Sequence, residues 1–262
     1  MTSMDIEDEM TKSAISLATS VVDDLVRPTS KSIGDNIGLF VDGVFGWLGY
    51  WGEKQRIKRE KYLNEYKNSI AEKVANISED KLIEPKLQVV GPAIEASKYF
   101  IEEKECREMF SNLVASACNS DLQSFVHPAF PEMIKQLSCD DARFLMNFKY
   151  KATFPCVELY ELDIDKKITP YYQKAFDLSG SRILYDEKQE LGITQSVDNL
   201  IRLGLLTLNK KILELNYDYN KFISHWLYKA IYADLRAGST LHMRKYRIEL
   251  TVLGKAFVKC CV

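Results

Sequence analysis

Four charged residues between positions 102 and 108 are the first candidates for chemistry. Glu102, Glu105, Arg107 and Glu108 lie close together in the sequence, and two carboxylates that converge on a pocket can act as general acid and base. On a helix, Glu105 and Glu108 share a face. The same spacing is typical of a surface helix with ion pairs, which we favour. We expect no catalytic residue here, and the sequence leaves open whether the chain is an enzyme, with a non-catalytic role favoured.

Six cysteines and three histidines are the candidate metal ligands. No two cysteines form a CxxC pair, and the adjacent Cys260 and Cys261 have poor geometry for holding one ion. His127 precedes Pro128, which is typical of a turn residue. Phosphate-binding glycine motifs and the HExxH zinc motif are absent from the sequence. We therefore expect neither a metal site nor a cofactor.

The C-terminal segment 196–262 is the best candidate for binding a polyanion. It holds eleven Lys and Arg against five Asp and Glu, whereas the whole chain holds 35 against 37, for a net charge of -2. That balance excludes a uniformly basic nucleic-acid coat protein, and 46% hydrophobic residues exclude a disordered chain. The residues predicted to contact nucleic-acid phosphates are Arg202, Lys210, Lys211, Arg244, Lys245 and Arg247.

The same segment has the outline of a winged-helix module. The pattern predicts a helix over 196–203 ended by Gly204, strands at 205–208 and 211–215, a helix over 218–236 and a strand at 245–250. A final helix should begin at Thr251. Winged helices bind DNA through a helix and a wing, but others bind proteins. The helix over 196–203 has few basic residues, so a structural or protein-binding role is favoured and nucleic-acid binding stays open.

Residues 33–52 carry half of the twelve glycines between many apolar and aromatic residues. A helix that is apolar on almost all sides is buried in protein or in lipid. We favour a glycine-notched core helix. An interfacial or inserting segment is the main alternative, because the basic residues of 54–61 follow it. A constitutive membrane span is the least favoured interpretation, because Asp35 and Asp42 are costly in a bilayer. The candidate contacts with a membrane or a partner are Phe40, Phe45, Trp47 and Trp51.

The periodicity of the remaining chain predicts a mainly α-helical protein with a small β component. A helix is predicted over 5–26, another over 103–118, and Ser138 should cap a helix that runs to Phe148. The expected domains are a helical domain over 1–150 and a winged-helix-like module over 151–262. Its strands are expected near 153–164, 205–215 and 245–250. The scattered cysteines and an acidic N-terminus without a signal peptide predict a cytoplasmic protein.

Several blocks of the sequence resemble one known family. They are IEPKL (83–87), GPAIEA (91–96), EEKECREMFSNLVASA (102–117), VHPAF (126–130), IKQLSCDDA (134–142), VDNLIRLGLL (197–206) and ELTVLGKAFVKC (249–260). In these blocks the sequence resembles the abortive infection alpha family, a bacterial and prophage family associated with phage defence. The resemblance implies a mostly helical cytosolic protein of a defence locus and brings no established active-site residues.

The resemblance and the local patterns together give the expected mode of action. We expect a phage-defence protein that binds a protein partner, itself or a membrane surface rather than catalysing a reaction, peripheral to the inner membrane in the last case. The alternative is a nucleic-acid-binding regulator or sensor that uses the basic C-terminal module.

Overall fold

The computed structural model describes residues 56–165, 167–177 and 187–262. The described residues up to Lys135 form one compact unit, and those from Gln136 to Cys260 form a second. These residues are mainly helical and include one small antiparallel sheet, which confirms the predicted fold class. The domains expected at 1–150 and 151–262 stay a prediction. The helix predicted over 5–26 and the segment 33–52 lie outside the described residues.

The first unit is built around one central helix. Its helices are α1 (Arg56–Ala75), α2 (Leu87–Ser97), α3 (Lys104–Ala117) and α4 (Phe130–Lys135). Helix α3 packs against α1, α2 and α4, and ten of its fourteen residues are buried, including the polar Arg107 and Ser111. Tyr66 and Ile70 of α1, four residues apart, are buried as well. A central helix therefore brings polar groups into the interior, where they need hydrogen-bond partners.

The second unit combines a four-stranded sheet with helices. Its elements are α5 (Cys139–Met146), β1 (Thr153–Leu162), β2 (Ile168–Phe176), α6 (Glu187–Arg202), β3 (Leu206–Asn209), α7 (Trp226–Ala233), β4 (Thr240–Leu250) and α8 (Val252–Cys261). The strand order is β2-β1-β4-β3, and every neighbouring pair is antiparallel. A 3-10 helix over Tyr219–Ser224 precedes α7.

The two faces of this sheet have different surroundings because successive strand residues point to opposite sides. We call the side that bears Val157 and Leu159 the back face. The 3-10 helix and α7 cover it through a core of Val157, Leu159, Ala175, Tyr219, Phe222, Leu227 and Ile231. The other side, the front face, bears Phe154, Glu158 and Tyr160. Phe148 covers Phe154 at a centroid distance of 5.1 Å, whereas Glu158 and Tyr160, further along β1, are only partly buried.

The prediction of a hairpin between strands at 205–208 and 211–215 is wrong. Residues 206–209 form β3, but 211–215 form no strand, and β3 pairs with β4. The reason is local, because the side-chain oxygen of Asn209 accepts hydrogen bonds from the backbone N–H groups of Lys211 (3.0 Å) and Ile212 (2.9 Å). Side-chain capture of backbone donors ends a strand. The winged-helix-like arrangement is therefore not confirmed.

Three other elements differ in extent from their predicted ranges. The helix expected over 196–203 starts at Glu187, and the strand expected over 245–250 starts at Thr240. The helix expected over 218–236 is divided into the 3-10 helix and α7 at His225. His225 has extended backbone and its Nδ1 accepts a hydrogen bond from the N–H of Leu227 at 3.2 Å. This imidazole cap starts a new helix and ends the previous one.

Candidate binding surface

The six basic residues predicted to contact nucleic acid do not form one surface. Arg244 projects from the front face of the sheet, because it pairs with Glu158, whereas its neighbour Lys245 projects from the back face. Arg247 also belongs to the back face. Arg202 is the last residue of α6, and Lys210 and Lys211 follow the end of β3.

Two of the predicted arginines are held by neighbouring side chains. Arg202 donates from Nε and Nη2 to the side-chain oxygen of Asn199 (3.0 and 2.7 Å), and from Nη2 to that of Gln136 (3.1 Å). Arg247 pairs with Glu249 at 2.5 Å. The amide of Asn209 also donates to Glu249, and these donors lower the pKa of the Glu249 carboxyl. Arg202 and Arg247 thus already have structural partners within the protein.

Arg244 lies over an aromatic ring on the front face. Its guanidinium carbon is 4.6 Å from the ring centroid of Tyr160, and its Nη1 is 3.7 Å from Oε2 of Glu158. The hydroxyl of Tyr246 donates to the same carboxylate oxygen at 2.9 Å. Burial, aided by this hydrogen bond, raises the pKa of Tyr246 to about 12. The carboxylate and the ring hold the guanidinium in place, while 47% of the Arg244 side chain stays exposed.

Two further side chains, His242 and Lys210, continue this arrangement on the front face. The ring of His242 is nearly parallel to that of Tyr160, with centroids 5.6 Å apart and an angle of 26°. Beyond Arg244, the ammonium of Lys210 lies 5.5 Å from the ring centroid of Tyr246. We call His242, Arg244 and Lys210 the front-face row. Every member is exposed, and each lies beside an aromatic ring.

The loop after β3 exposes apolar side chains. Ile212, Leu213 and Leu215 are 55%, 37% and 86% exposed, and we call these three residues the apolar loop. The backbone around them is fixed, because Asn209 holds the start of the loop and the N–H of Glu214 donates to the hydroxyl of Tyr219 at 3.1 Å. Carboxylate oxygen Oε2 of Glu214 is buried. The loop therefore presents apolar groups to solvent.

A polar cleft lies between α1 and α3 in the first unit. Its volume is about 430 Å³, and Ser69, Lys73 and Glu108 are among its lining residues. The ammonium of Lys73 donates to Glu108 (2.6 Å), to Ser69 (2.8 Å) and to the buried Ser111 (2.5 Å). These three acceptors satisfy all three ammonium protons. Within this cleft, Lys73 and Glu108 join the two helices as a hydrogen-bonded ion pair.

Arg107, another of the four charged residues at 102–108, also makes contacts that hold α3 in place. Its guanidinium is almost fully buried, lies 5.0 Å from the ring centroid of Tyr62, and donates to Glu65 at 2.9 Å and to the carbonyl of Ile101 at 2.5 Å. Arg107 and Glu108 thus both tie α3 to its surroundings. Ion pairs are present, as expected, but the prediction of a surface helix is wrong. The helix α3 is largely buried, and these pairs join it to α1.

The remaining candidate ligands have structural surroundings. Burial raises the pKa of Cys118 to about 12 and that of Cys260 to about 11, so these thiols are poor nucleophiles at neutral pH. His127 accepts a hydrogen bond on Nδ1 from the N–H of Ala129 at 3.1 Å, as a turn residue does. Within 56–165, 167–177 and 187–262, no three His, Cys, Asp or Glu side chains are grouped as metal ligands.

The predicted membrane contacts cannot be located in this structure. Phe40, Phe45, Trp47 and Trp51 all lie outside the described residues. Among the helices of the described ranges, none is long and apolar enough to cross a bilayer.

The sequence pattern placed the apolar loop in a strand and did not single out Tyr160 or His242. The alternation of β4 was the signal that could have placed His242 beside Arg244.

Comparison with known proteins gives the family. The sequence model for abortive infection alpha matches residues 58–261. The chain belongs to the abortive infection alpha family. No curated protein matches it. An uncharacterized protein from the hydrocarbon-degrading marine bacterium Alcanivorax borkumensis SK2 is similar in structure, with 15% sequence identity and a TM-score of 0.35 over 53% of this chain and 92% of that one.

The abortive infection alpha match includes the polar cleft, the front-face row and the apolar loop. The glycine-rich segment 33–52 precedes the matched range. The surfaces described above therefore belong to the part of the chain that defines its family.

Proposed function

We propose that this abortive infection alpha protein acts in phage defence by binding an anionic membrane surface through the apolar loop, rather than by catalysis. The observation that supports the proposal is the exposure of Ile212, Leu213 and Leu215 directly after Lys210 and Lys211. In cellular terms, this is a cytoplasmic bacterial protein that associates peripherally with the inner membrane and arrests growth on infection.

The charge around the loop supports a lipid surface as the occupant. Both lysines are exposed, while the one carboxylate of the loop, Glu214, has a buried oxygen. A surface with apolar groups beside cations suits the boundary between acyl chains and anionic headgroups. A purely apolar protein partner would not need the two lysines.

The exposed area suggests reversible binding. The three apolar side chains together expose roughly as much surface as two complete side chains, and their transfer out of water is worth on the order of 3–6 kcal/mol. Each lysine adds about 1 kcal/mol near an anionic surface. A total of this size supports weak attachment, which a second signal can strengthen.

Vesicle flotation tests the proposal on the full chain. The protein should float with vesicles of phosphatidylglycerol and phosphatidylcholine, and much less with vesicles of phosphatidylcholine alone. Replacing Ile212 and Leu215 together by Ser should reduce binding at least tenfold, because the two side chains carry most of the exposed apolar area. Lys211→Glu should reduce binding to the anionic vesicles alone.

Val252→Ser is the matched control. Val252 is as exposed as Leu215, at 86%, but it begins α8 and lies outside the apolar loop. Its substitution should leave flotation unchanged. Equal flotation of the loop variant and the wild type contradicts the role of the loop, and absence of wild-type binding to both vesicles contradicts the membrane proposal itself.

A phage challenge tests the defence role separately. Cells that express the wild-type chain should give fewer plaques than cells with an empty vector, and the loop variant should lose this protection while Val252→Ser keeps it. Protection that is unaffected by the loop variant would mean that defence does not depend on this surface.

A further inference from the structure

We infer that the front face of the sheet binds single-stranded nucleic acid along the front-face row. This site goes beyond the proposed membrane function: it uses none of the three apolar side chains of the loop and shares only Lys210 with the cations beside it. Arg244 is the central residue of this site, because Tyr160 and Glu158 hold its guanidinium in place.

Arg244 is preorganised for an anion. Tyr160 lies under its guanidinium at 4.6 Å, and Glu158 is 3.7 Å from one nitrogen. The Glu158 carboxylate also accepts the hydrogen bond from Tyr246, so its charge is shared between this hydrogen bond and the ion pair with Arg244. A guanidinium that is stacked on a ring and half exposed loses little conformational freedom when it binds a phosphate.

The planar groups of the row point to nucleobases. His242 and Arg244 both stack beside the single ring of Tyr160, and bases stack on imidazole and guanidinium planes as well as on aromatic rings. The two residues lie two positions apart on β4, which corresponds to roughly 7 Å. Adjacent stacking groups on an open sheet are how several single-strand-binding folds hold successive bases.

Lys210 extends the row along the strand. Its ammonium lies over Tyr246, the next front-face residue of β4 after Arg244. From His242 to Tyr246 the row spans roughly 14 Å, which is long enough for a few nucleotides and too long for a single phosphate. Such a row follows a phosphate backbone.

The same geometry favours a single strand over a duplex. Reading a duplex usually requires a helix or a ribbon that enters a groove. The last turn of α6 has one basic side chain, Arg202, and this side chain is hydrogen-bonded to Asn199 and Gln136. The front-face row instead offers two exposed planar groups, the imidazole of His242 and the guanidinium of Arg244, beside the ring of Tyr160. A phosphopeptide would use the guanidinium and leave the stacked imidazole without a role.

Fluorescence anisotropy with labelled single strands of about twelve nucleotides tests this inference. Oligo-U and oligo-dT serve as RNA and DNA arms, and the matching duplex as a third. The full-length protein should bind at least one single strand more tightly than the duplex. Arg244→Ala should weaken binding at least tenfold, and the slope of log K against log salt should become shallower by about 0.7.

The neighbouring residue provides the matched control. Lys245→Ala removes one positive charge from the adjacent position of the same strand, but from the back face, and should change affinity less than twofold. Arg244→Lys retains charge without a planar group and should still lose most of the affinity. His242→Ala, at an exposed position, should weaken binding several-fold without affecting the fold.

The outcomes separate the possibilities cleanly. Equal losses for Arg244→Ala and Lys245→Ala would show diffuse charge attraction and overturn the site. Wild-type affinity in Arg244→Lys or His242→Ala would overturn stacking, and tighter binding of the duplex would overturn the single-strand class. Because none of these variants alters the apolar loop, vesicle flotation should be unchanged by His242→Ala, so failure of either proposal is distinguishable from failure of the other.

Discussion

Replacing Gly254 by alanine should strongly destabilise the second unit. Gly254 lies in the first turn of α8, where the helix passes directly against the backbone of Leu205. A Cβ atom at this position would lie 1.9 Å from the carbonyl oxygen of Leu205 and 2.9 Å from its carbonyl carbon. Ordinary contacts of a Cβ atom are 3.4–4 Å, so one of the two segments must move by about 1.5 Å.

The movement would break the junction between β3, β4 and α8. The N–H of Thr251 donates to the carbonyl of Leu205 at 3.0 Å, and its hydroxyl donates to the carbonyl of Gly204 at 2.5 Å. Overpacking alone costs about 1–3 kcal/mol, and each lost hydrogen bond adds about 1 kcal/mol. Alanine regains about 1 kcal/mol as a better helix former than glycine. The net expected loss is on the order of 3 kcal/mol.

Urea unfolding followed by circular dichroism measures this loss. For a denaturant slope of about 2 kcal/mol/M, the midpoint should fall by roughly 1.5 M. Gly192→Ala is the matched control, because Gly192 lies inside α6 and a Cβ there meets nothing within 4 Å. That variant should be as stable as the wild type or up to about 1 kcal/mol more stable.

The urea midpoints of Gly254→Ala and Gly192→Ala together test the close approach of α8 to Leu205. A Gly254→Ala protein that unfolds at the wild-type midpoint, or that gains stability as Gly192→Ala does, would refute the close approach of α8 to Leu205. An intermediate loss of about 1 kcal/mol would refute the size of the predicted backbone movement.

Three further predictions concern caps and buried titrating groups. Thr251→Ala removes the cap of α8 and should cost about 1–2 kcal/mol in urea unfolding, with Thr251→Ser restoring most of it. The pKa of Tyr246 is about 12 in the folded protein against about 10 when unfolded. The contribution of Tyr246 to stability is therefore complete below pH 10 and is lost as the pH rises to 12. Tyr246→Phe should flatten that part of a pH–stability curve. The raised pKa values of Cys118 and Cys260 predict slow alkylation by iodoacetamide at pH 8 and fast alkylation in urea.

Helix ends are the features that the sequence predicts best, because their signals are local. Ser138 forms a capping box with Asp141, in which each side chain accepts a hydrogen bond from the other residue's N–H. Gly204 follows α6 with a φ of 72°, a conformation that glycine adopts without strain. Thr251 accepts from the N–H of Gly254 at 2.9 Å. Each was identified from two to four neighbouring residues.

Strand pairing is harder to predict because it depends on distant partners. The sequence pattern over 170–190 is ambiguous, yet β2, which ends at Phe176, forms by pairing with β1. At 211–215 the apolar residues suggest a strand, but a single side chain, Asn209, takes the backbone donors that a ladder would need. Residue composition does not show whether the backbone of a segment will pair with a distant strand, as in β2, or bond to a nearby side chain, as at Asn209.

The candidate site was predicted only in part, for a similar reason. Charge counting identified the basic C-terminal segment, but it treated Arg244, Lys245 and Arg247 as one surface. A strand alternates its side chains, so adjacent cations face opposite ways. The aromatic partner of Arg244, Tyr160, comes from β1, more than eighty residues away, and no local pattern connects the two.

Asn209 connects the two surfaces that we propose for binding. Its amide nitrogen donates to Glu249 of β4, while its oxygen turns the chain at Lys211 and Ile212. The same side chain thus ends β3, anchors it to β4 and starts the apolar loop. The next residue, Lys210, places its ammonium group over the ring of Tyr246. Asn209 therefore fixes both the direction of the apolar loop and the position of Lys210 in the front-face row. A lipid surface at the loop and a nucleic acid on the front face would both contact Lys210. Ligands that share a cation bind in competition, so binding of anionic vesicles should weaken binding of the single strand, and by the same factor in reverse.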